Sequence, residues 1–246
     1  MIKGLYTAAS GMHSSMRRQD IISNNLANLN TTGYKKGTAV NKSFSEKMIS
    51  RMDSESVAIG RLGSGTAIDE VSTDHSAGAF KETGNSMDWA IKGEGFFTIQ
   101  TPQGQRYTRN GNFTINNDNQ VVTQQGYPVQ GENGFLEVPD GAEVAINENT
   151  LLANGEEVGQ IQLRSFADKT GLVKEGKNLF RRTPQAGNPF EAAGSIKEGF
   201  IEGSNVNPIE EMTKMIQNSR TYELDQKMMQ ITDQTLDQAV NQVGKP

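Results

Sequence analysis

The sequence predicts an α+β fold: long N- and C-terminal helices paired as a coiled-coil-like bundle, with one central antiparallel β domain. Three observations carry this. Pro102, Pro128, Pro139, Pro184, Pro189 and Pro208 crowd the middle, whereas the first 101 residues have no proline and Gly244 is the only glycine after Ser204. Apolar residues recur every seven positions at both ends. Between the ends lie short β-branched and aromatic runs separated by Asn-Gly and Asp-Gly dipeptides. Breakers end helices and mark turns, so their distribution reads as helix, then β structure, then helix. The expected divisions are 1–35 (N-terminal helix and turn), 36–84 (extended connector), 85–203 (β domain) and 204–246 (C-terminal helix).

The N-terminal helix is expected from about Ile2 to about Leu29, stopping near Gly33. Leu5, Met12, Gln19 and Leu26 recur at seven residues, with Ala8, Ser15, Ile22 and Leu29 as a companion series. This is a coiled-coil-like seam with one polar insertion, and its small residues allow close helix approach. Residues 41–75 are rich in Ser, Met, Gly and charge without a steady period, hence the expected connector. Within the β domain, Phe96–Ile99, Asn112–Ile115 and Val121–Thr123 have strand composition. Gln160–Arg164 alternates polar and apolar as a half-buried strand should. Asn110-Gly111, Asn133-Gly134, Asp140-Gly141 and Asn154-Gly155 are turn dipeptides, several of the hairpin kind.

The C-terminal helix has the clearest start. Asn207 is a good N-cap, Pro208 suits the first helical position, and Glu210 stands where a capping box puts its acid. Glu211 adds negative charge to the positive end of the dipole. Met215, Tyr222, Met229, Leu236 and Val243 recur at seven residues. At about 100° per residue, Met215, Tyr222, Met229, Leu236 and Val240 share one stripe, and Leu224, Met228 and Ile231 lie roughly opposite. Ile209 and Ile216 lean to that second side. Two apolar faces fit either a helix sandwiched in its own domain or one that also contacts neighbouring subunits. On the second reading the subunit-interface residues are Leu5, Met12, Ile22, Leu26, Leu29, Met215, Tyr222, Leu224, Met228, Met229, Ile231, Leu236 and Val240.

Composition excludes several chemistries. The chain of 246 residues has no Cys and two His, which removes disulfides, thiolate metal sites and cysteine nucleophiles and leaves little for a zinc site or a Ser-His-Asp triad. Net charge is -5, against a general nucleic-acid grip. No run approaches the ~18 apolar residues of a membrane span. The first residues lack the apolar core of a secretory signal. The chain therefore stays in the cytoplasm, as composition alone favours, or leaves by a route that reads no cleavable signal. Gly37–Ser43 is one residue short of a phosphate-binding loop and has Asn41 where Gly must precede the Lys. Gly93-Glu94-Gly95 opens a dinucleotide fingerprint, but Thr98 replaces the third Gly and a strand follows. The acidic clusters Asp53-Ser54-Glu55 and Asp69-Glu70 read as solvated, as does Lys35-Lys36 after a turn. His13 reads as a surface or interface imidazole. No catalytic, metal-ligating or cofactor-binding residue is expected, and the chain is not expected to be an enzyme.

Three stretches resemble the axial proteins of the bacterial flagellum, the rod, hook and hook-associated subunits. Gln19–Lys35 carries an Asn-Asn-x-Ala-Asn core (Asn24, Asn25, Ala27, Asn28) followed by Thr32, Gly33, Tyr34 and Lys35. Asp88–Phe97, with Gly93, Gly95, Phe96 and Phe97, and then Tyr107–Phe113, with Thr108 and Arg109, look like the start of the shared β domain. Glu202–Asn207, with Ser204 and Asn205, followed by Glu211–Glu223, looks like the C-terminal signature. Length favours a rod subunit of distal or proximal type over a hook protein, which carries extra outer domains. The resemblance implies a structural subunit that polymerises through its terminal helices into a helical tubular drive shaft transmitting motor torque to the hook. It also implies export without a cleavable signal by the flagellar type III apparatus, an extracytoplasmic place in the basal body, and other rod and hook proteins as partners, with no nucleic acid and no membrane span. The alternatives are a hook or hook-associated axial protein, or a secreted, non-flagellar binding module.

Overall fold

The computed structural model describes residues 2–44, 47–52, 56–63, 65–139, 141–176 and 178–241. Val243, the Asp53-Ser54-Glu55 cluster and Asp140 lie outside them. The chain divides into two compact units. The first comprises 1–27, 37–72 and 207–246, and the second 28–36 and 73–206.

The first unit is built on α1 (Ile2–Ala27), followed in the chain by β1 (Gly37–Ser43), β2 (Lys47–Met52), β3 (Ser56–Leu62) and β4 (Thr66–Thr73). The region expected as an extended connector is thus two ribbons, β1 with β4 and β2 with β3. Its strands carry no alternating apolar face because a two-stranded ribbon has no sheet-sized core to cover. Val40 and Val71 are exposed accordingly.

The second unit carries, in chain order, β5 (Phe80–Glu82), β6 (Trp89–Lys92), β7 (Phe96–Thr101), β8 (Gly104–Thr108), β9 (Phe113–Ile115), β10 (Val121–Thr123), β11 (Gln130–Gly131), β12 (Gly134–Phe135), β13 (Val144–Asn147), β14 (Thr150–Ala153), β15 (Glu156–Gln160), β16 (Leu163–Ser165), β17 (Leu172–Lys174), β18 (Leu179–Arg182), β19 (Phe190–Glu191), β20 (Ser195–Glu198) and β21 (Phe200–Glu202). Its main sheet has the order β17-β18-β8-β7-β16-β19, with a second sheet β13-β14-β15 and ribbons β5/β21, β6/β20, β9/β10 and β11/β12. These pairings are antiparallel, as the turn dipeptides predict. Asn154 and Gly155 both have positive φ, 54° and 85°, and join β14 to β15, the geometry a two-residue hairpin needs to match strand twist. Asn110-Gly111 closes no hairpin. Gly111 instead packs on the Trp89 carbonyl, where a Cβ would overlap it.

Alternation along β7 sorts two adjacent rings into two cores. Phe97 joins Trp89, Ile99, Phe113 and Val121, whereas Phe96 joins Tyr107, Phe166, Leu172 and Phe180. The expected strand 160–164 proves divided. Ile161 and Leu163 are both buried, but β15 ends at Gln160 and β16 begins at Leu163 because the two serve different sheets.

The final helix, α2 (Pro208–Asn241), starts as its sequence dictates. Asn207 Oδ1 accepts from the Ile209 and Glu210 amides at 3.0 and 3.4 Å, satisfying orphan donors of the first turn. It packs antiparallel to α1. Gly4 lies beside Thr232, Gly11 beside Asp225, and Asn25 bonds Glu211 at 3.0 Å.

Candidate functional site

The helix pair sorts the expected interface residues into two sets. Ile22 is buried, and Leu5, Met12, Leu26, Met215, Met229 and Leu236 are half-buried where α1 and α2 meet. Leu29, half-buried, belongs to the second unit. Tyr222 stands at the edge of the seam, 36% exposed. Leu224, Met228 and Ile231 project to solvent with Ile209, Met212 and Ile216, each more than half exposed. Val240 departs from its expected stripe and is 70% exposed. The α1–α2 register explains it: α1 begins at Ile2, opposite about residue 234, so the end of α2 overhangs its partner.

Small and polar residues occupy much of this seam. A Cβ on Gly11 would come 2.6 Å from Asp225 Oδ2. Asn218, 4% exposed, donates from Nδ2 to the Ser15 carbonyl at 2.8 Å and Gln19 Oε1 at 3.0 Å. Asn25, 2% exposed, exchanges two hydrogen bonds with the Gly37 backbone, 2.8 and 2.9 Å, tying the helix to β1. Asn24 is exposed and Ala27 closes α1. Asn28 Oδ1 accepts from Thr31 Oγ1 at 3.2 Å in the turn that follows.

The remaining signature residues converge in the second unit on one carboxylate. Glu202 is fully buried; Lys35 Nζ donates to Oε1 at 2.5 Å, the Gly78 amide to Oε1 at 2.9 Å and Arg109 Nη1 to Oε2 at 3.3 Å. The Glu202 carbonyl accepts from the Gly33 amide at 2.7 Å. Arg109 also donates to the Gly93 and Ile91 carbonyls, at 2.9 and 3.3 Å, and its guanidinium lies 5.4 Å from the Phe96 ring centroid. Asn205 joins three strand ends: Oδ1 accepts from the Lys36 amide at 2.7 Å, and Nδ2 donates to the Asp74 carbonyl at 2.9 Å and Ser76 Oγ at 3.1 Å. Ser204 Oγ accepts from the Val206 amide at 3.3 Å. The Thr32 carbonyl and Thr108 Oγ1 both bond Asn178, at 2.8 and 2.9 Å. Tyr34, 7% exposed, carries Lys174 Nζ 4.4 Å from its ring centroid.

Lys35 therefore corrects the sequence reading. Expected as a solvated charge, it is 1% exposed. Nothing in its immediate neighbours announces this, because its partner lies 167 positions away. Burial lowers its pKa and that of Arg109, while Glu202 opposes the shift in both. Lys174 is lowered to about 8 by burial. The two signature glycines have plain reasons. Gly33 has φ 67°, and a Cβ there would overlap the Arg109 and Asn110 backbone. Gly95 has φ 134°, and its Cβ would come 2.7 Å from that of Ala192.

His75 carries no sequence signal of its environment. Both its ring nitrogens are buried without a hydrogen-bond partner, and the ring lies 5.6 and 5.3 Å from Phe96 and Phe180. Its pKa is lowered to about 4, first by burial and then by the charges of Lys35, Lys169 and Lys174. His13 is exposed on α1, and Asp69 pairs with Lys42 at 3.4 Å with both exposed. Among the described residues, no group of three or more His, Cys, Asp or Glu is placed to hold a metal ion. No described helix is long and apolar enough to cross a membrane.

Comparison with known proteins covers the same three stretches. Residues 5–35 match the flagella basal body rod protein family, 90–162 the D1 domain of flagellar hook protein FlgE/F/G, and 197–243 the C-terminal family of flagellar basal body rod FlgEFG proteins. These segments contain all three parts of the Lys35–Arg109–Glu202 cluster. The chain is 33% identical over 261 residues to the flagellar basal-body rod protein FlgG of Bacillus subtilis, covering 98% of this chain and 99% of that one. It is 34% identical over 248 residues to the rod protein FlgF of Caulobacter vibrioides, covering 100% and 99%. It is 33% identical over 270 residues to the flagellar hook-basal body complex protein FlhO of Bacillus subtilis, covering 100% of both. Matches along nearly its whole length, at 33 to 34% identity, place this chain in the family of flagellar basal-body rod proteins, structural components of the flagellum and not enzymes.

Proposed function

We propose that the chain polymerises through its terminal helices into the helical tubular shaft of the rod and so transmits motor torque to the hook. One observation carries the reading. The outer face of α2 leaves Ile209, Met212, Ile216, Leu224, Met228 and Ile231 exposed together on a single helix. Covering a side chain of this kind contributes ~1.5–3 kcal/mol, so several per subunit offset the ordering cost of assembly. Neighbouring copies would pack these faces as a coiled-coil-like bundle, with 1–35 and 204–246 as the polymerising ends. Contacts between unlike surfaces do not close on themselves and give a helical filament rather than a ring. Other rod and hook proteins would abut the same shaft. Assembly outside the cytoplasm requires export, for which the flagellar type III apparatus is the route.

The test is sedimentation and electron microscopy of the full chain and of chains lacking residues 1–30 or 205–246. The full chain forms tubes or filaments at high concentration, and both truncations remain as separate particles. Normal polymer from both truncations would falsify the proposal.

A further inference from the structure

We propose that His75 is an acid-operated plug: on taking up a proton its ring leaves the cage of Phe96 and Phe180 and turns into the neighbouring cleft, where Glu94 receives it, while the rest of the β-rich unit stays folded.

The cage suits a neutral ring and not a cation. The imidazole stands edge-on to Phe96 and tilted against Phe180, with centroids 5.6 and 5.3 Å away, and both ring nitrogens are buried without a hydrogen-bond partner. The Lys169 backbone favours the proton but closes no hydrogen bond. Cations oppose it from three places: Lys35 between α1 and β1, Lys169 in the turn before β17, and Lys174 in β17. Arg109 lies 5.4 Å from the centroid of the same Phe96 ring. Burial and like charge therefore act in one direction on an imidazolium held in place.

The backbone on either side of the ring is pinned. The Asp74 amide donates to the Lys36 carbonyl at 3.0 Å, and the Asp74 carbonyl accepts from Asn205 Nδ2 at 2.9 Å. The Ser76 carbonyl accepts from Lys35 Nζ at 2.6 Å, and the Gly78 amide donates to Glu202 Oε1 at 2.9 Å. Lifting the segment breaks these bonds together and leaves buried groups unsatisfied. Turning the side chain breaks none of them, because the ring has no polar partner to lose. The response to a proton is a change of rotamer rather than a local unfolding.

Space for the turn lies beside the ring. A cleft of about 530 Å³ is walled by His75 itself, Thr73, Asp74, Glu94, Lys169 and Thr170, among others. Of its two carboxylates, Asp74 is engaged through both oxygens, Oδ1 with the Ser76 amide at 2.9 Å and Oδ2 with Lys36 at 3.4 Å. Glu94 engages Lys169 through Oε1 at 2.8 Å, and its Oε2 has no partner among the described residues. The Glu94 side chain is 69% exposed, so an imidazolium beside it is both hydrated and paired. Departure of the ring opens an apolar slot between Phe96 and Phe180, which are both buried while it is in place. These rings belong to the smaller core and Trp89 to the larger, so the two cores can be followed separately.

NMR of the dilute, histidine-labelled full chain tests the plug. The chain has two His, and exposed His13 serves as the internal standard. At neutral pH the His75 ring protons show ring-current shifts and cross-peaks to Phe96 and Phe180. Acidification moves them to the values of His13, with a midpoint between the caged value of about 4 and the ordinary 6.5. Cross-peaks to the Glu94 methylenes then replace those to the phenylalanines, and Trp89 fluorescence stays native through the midpoint. Glu94→Gln, made in a Lys169→Gln chain so that no cation is left unpaired, lowers the midpoint by about one pH unit, an approximately tenfold loss of proton affinity. Ring signals that keep their phenylalanine cross-peaks down to about pH 4, or that change only in step with Trp89 fluorescence, overturn the plug. Signals that leave the cage with a midpoint untouched by Glu94→Gln overturn Glu94 as the receiver.

Discussion

Glu202 holds two buried cations and one backbone amide, and no other carboxylate among the described residues is placed to replace it. Removing one partner of a buried ion pair costs ~3–5 kcal/mol because the remaining charge stays desolvated. Glu202→Ala, which strands both Lys35 and Arg109, is expected to lower the unfolding free energy of the β-rich unit by about that amount. The single Trp, Trp89, is fully buried in that unit and reports its unfolding by fluorescence in urea. His75 sets a pH dependence. Its folded pKa of about 4 lies below its ordinary value of 6.5, so the unfolded chain binds more protons between these values. Stability is therefore full above about pH 6.5 and falls as pH drops toward 4, by at most ~3 kcal/mol. Around the ring, the charges of Lys35, Lys169 and Lys174 oppose the imidazolium, and the carboxylates Asp74 and Glu94 that line the same cleft leave burial dominant. In His75→Phe, the difference in stability from the parent chain is expected to change with pH only across that window.

Among the elements, the turn from α1 into β1 tolerates little change. Gly33 combines a left-handed φ of 67° with direct backbone contact. Gly33→Val is expected to cost more than the ~1–2 kcal/mol of the left-handed conformation alone, seen as a lower urea midpoint. The helices were legible before any coordinates: Asn207 and Pro208 gave the start of α2, and the seven-residue recurrence gave both helical segments. The overhang at Val240 was not, because periodicity says which face a residue occupies and not whether a partner helix extends that far. The ribbons in 37–73 were missed for a related reason. Residues that build no common core leave no apolar alternation to read.

For the assembly, the relevant property is that one helix is apolar both where it meets α1 and where it meets solvent. Tyr222→Asp and Leu26→Asp, at or in the helix seam, are expected to abolish polymer while Trp89 fluorescence remains native. Retained polymer in both, measured by pelleting, would remove the helix ends from the contact. Circular dichroism against concentration checks the same idea without mutation. Helix gained on assembly supports docking between copies, whereas full helicity in dilute monomer means the pair is complete alone.

Local chemistry was enough to settle the class, the two terminal helices, the start of α2 and the Asn154-Gly155 hairpin of this chain, because propensity, capping and φ preference act over a few neighbouring residues. The three signatures could likewise be read in a row, and they named the family. Their purpose could not. That Lys35 is buried on Glu202, that His75 lacks a polar partner, and that Phe96 and Phe97 serve separate cores follow from partners brought together across long stretches of chain. Burial and pairing are properties of the packed interior, and no short window of residues contains them.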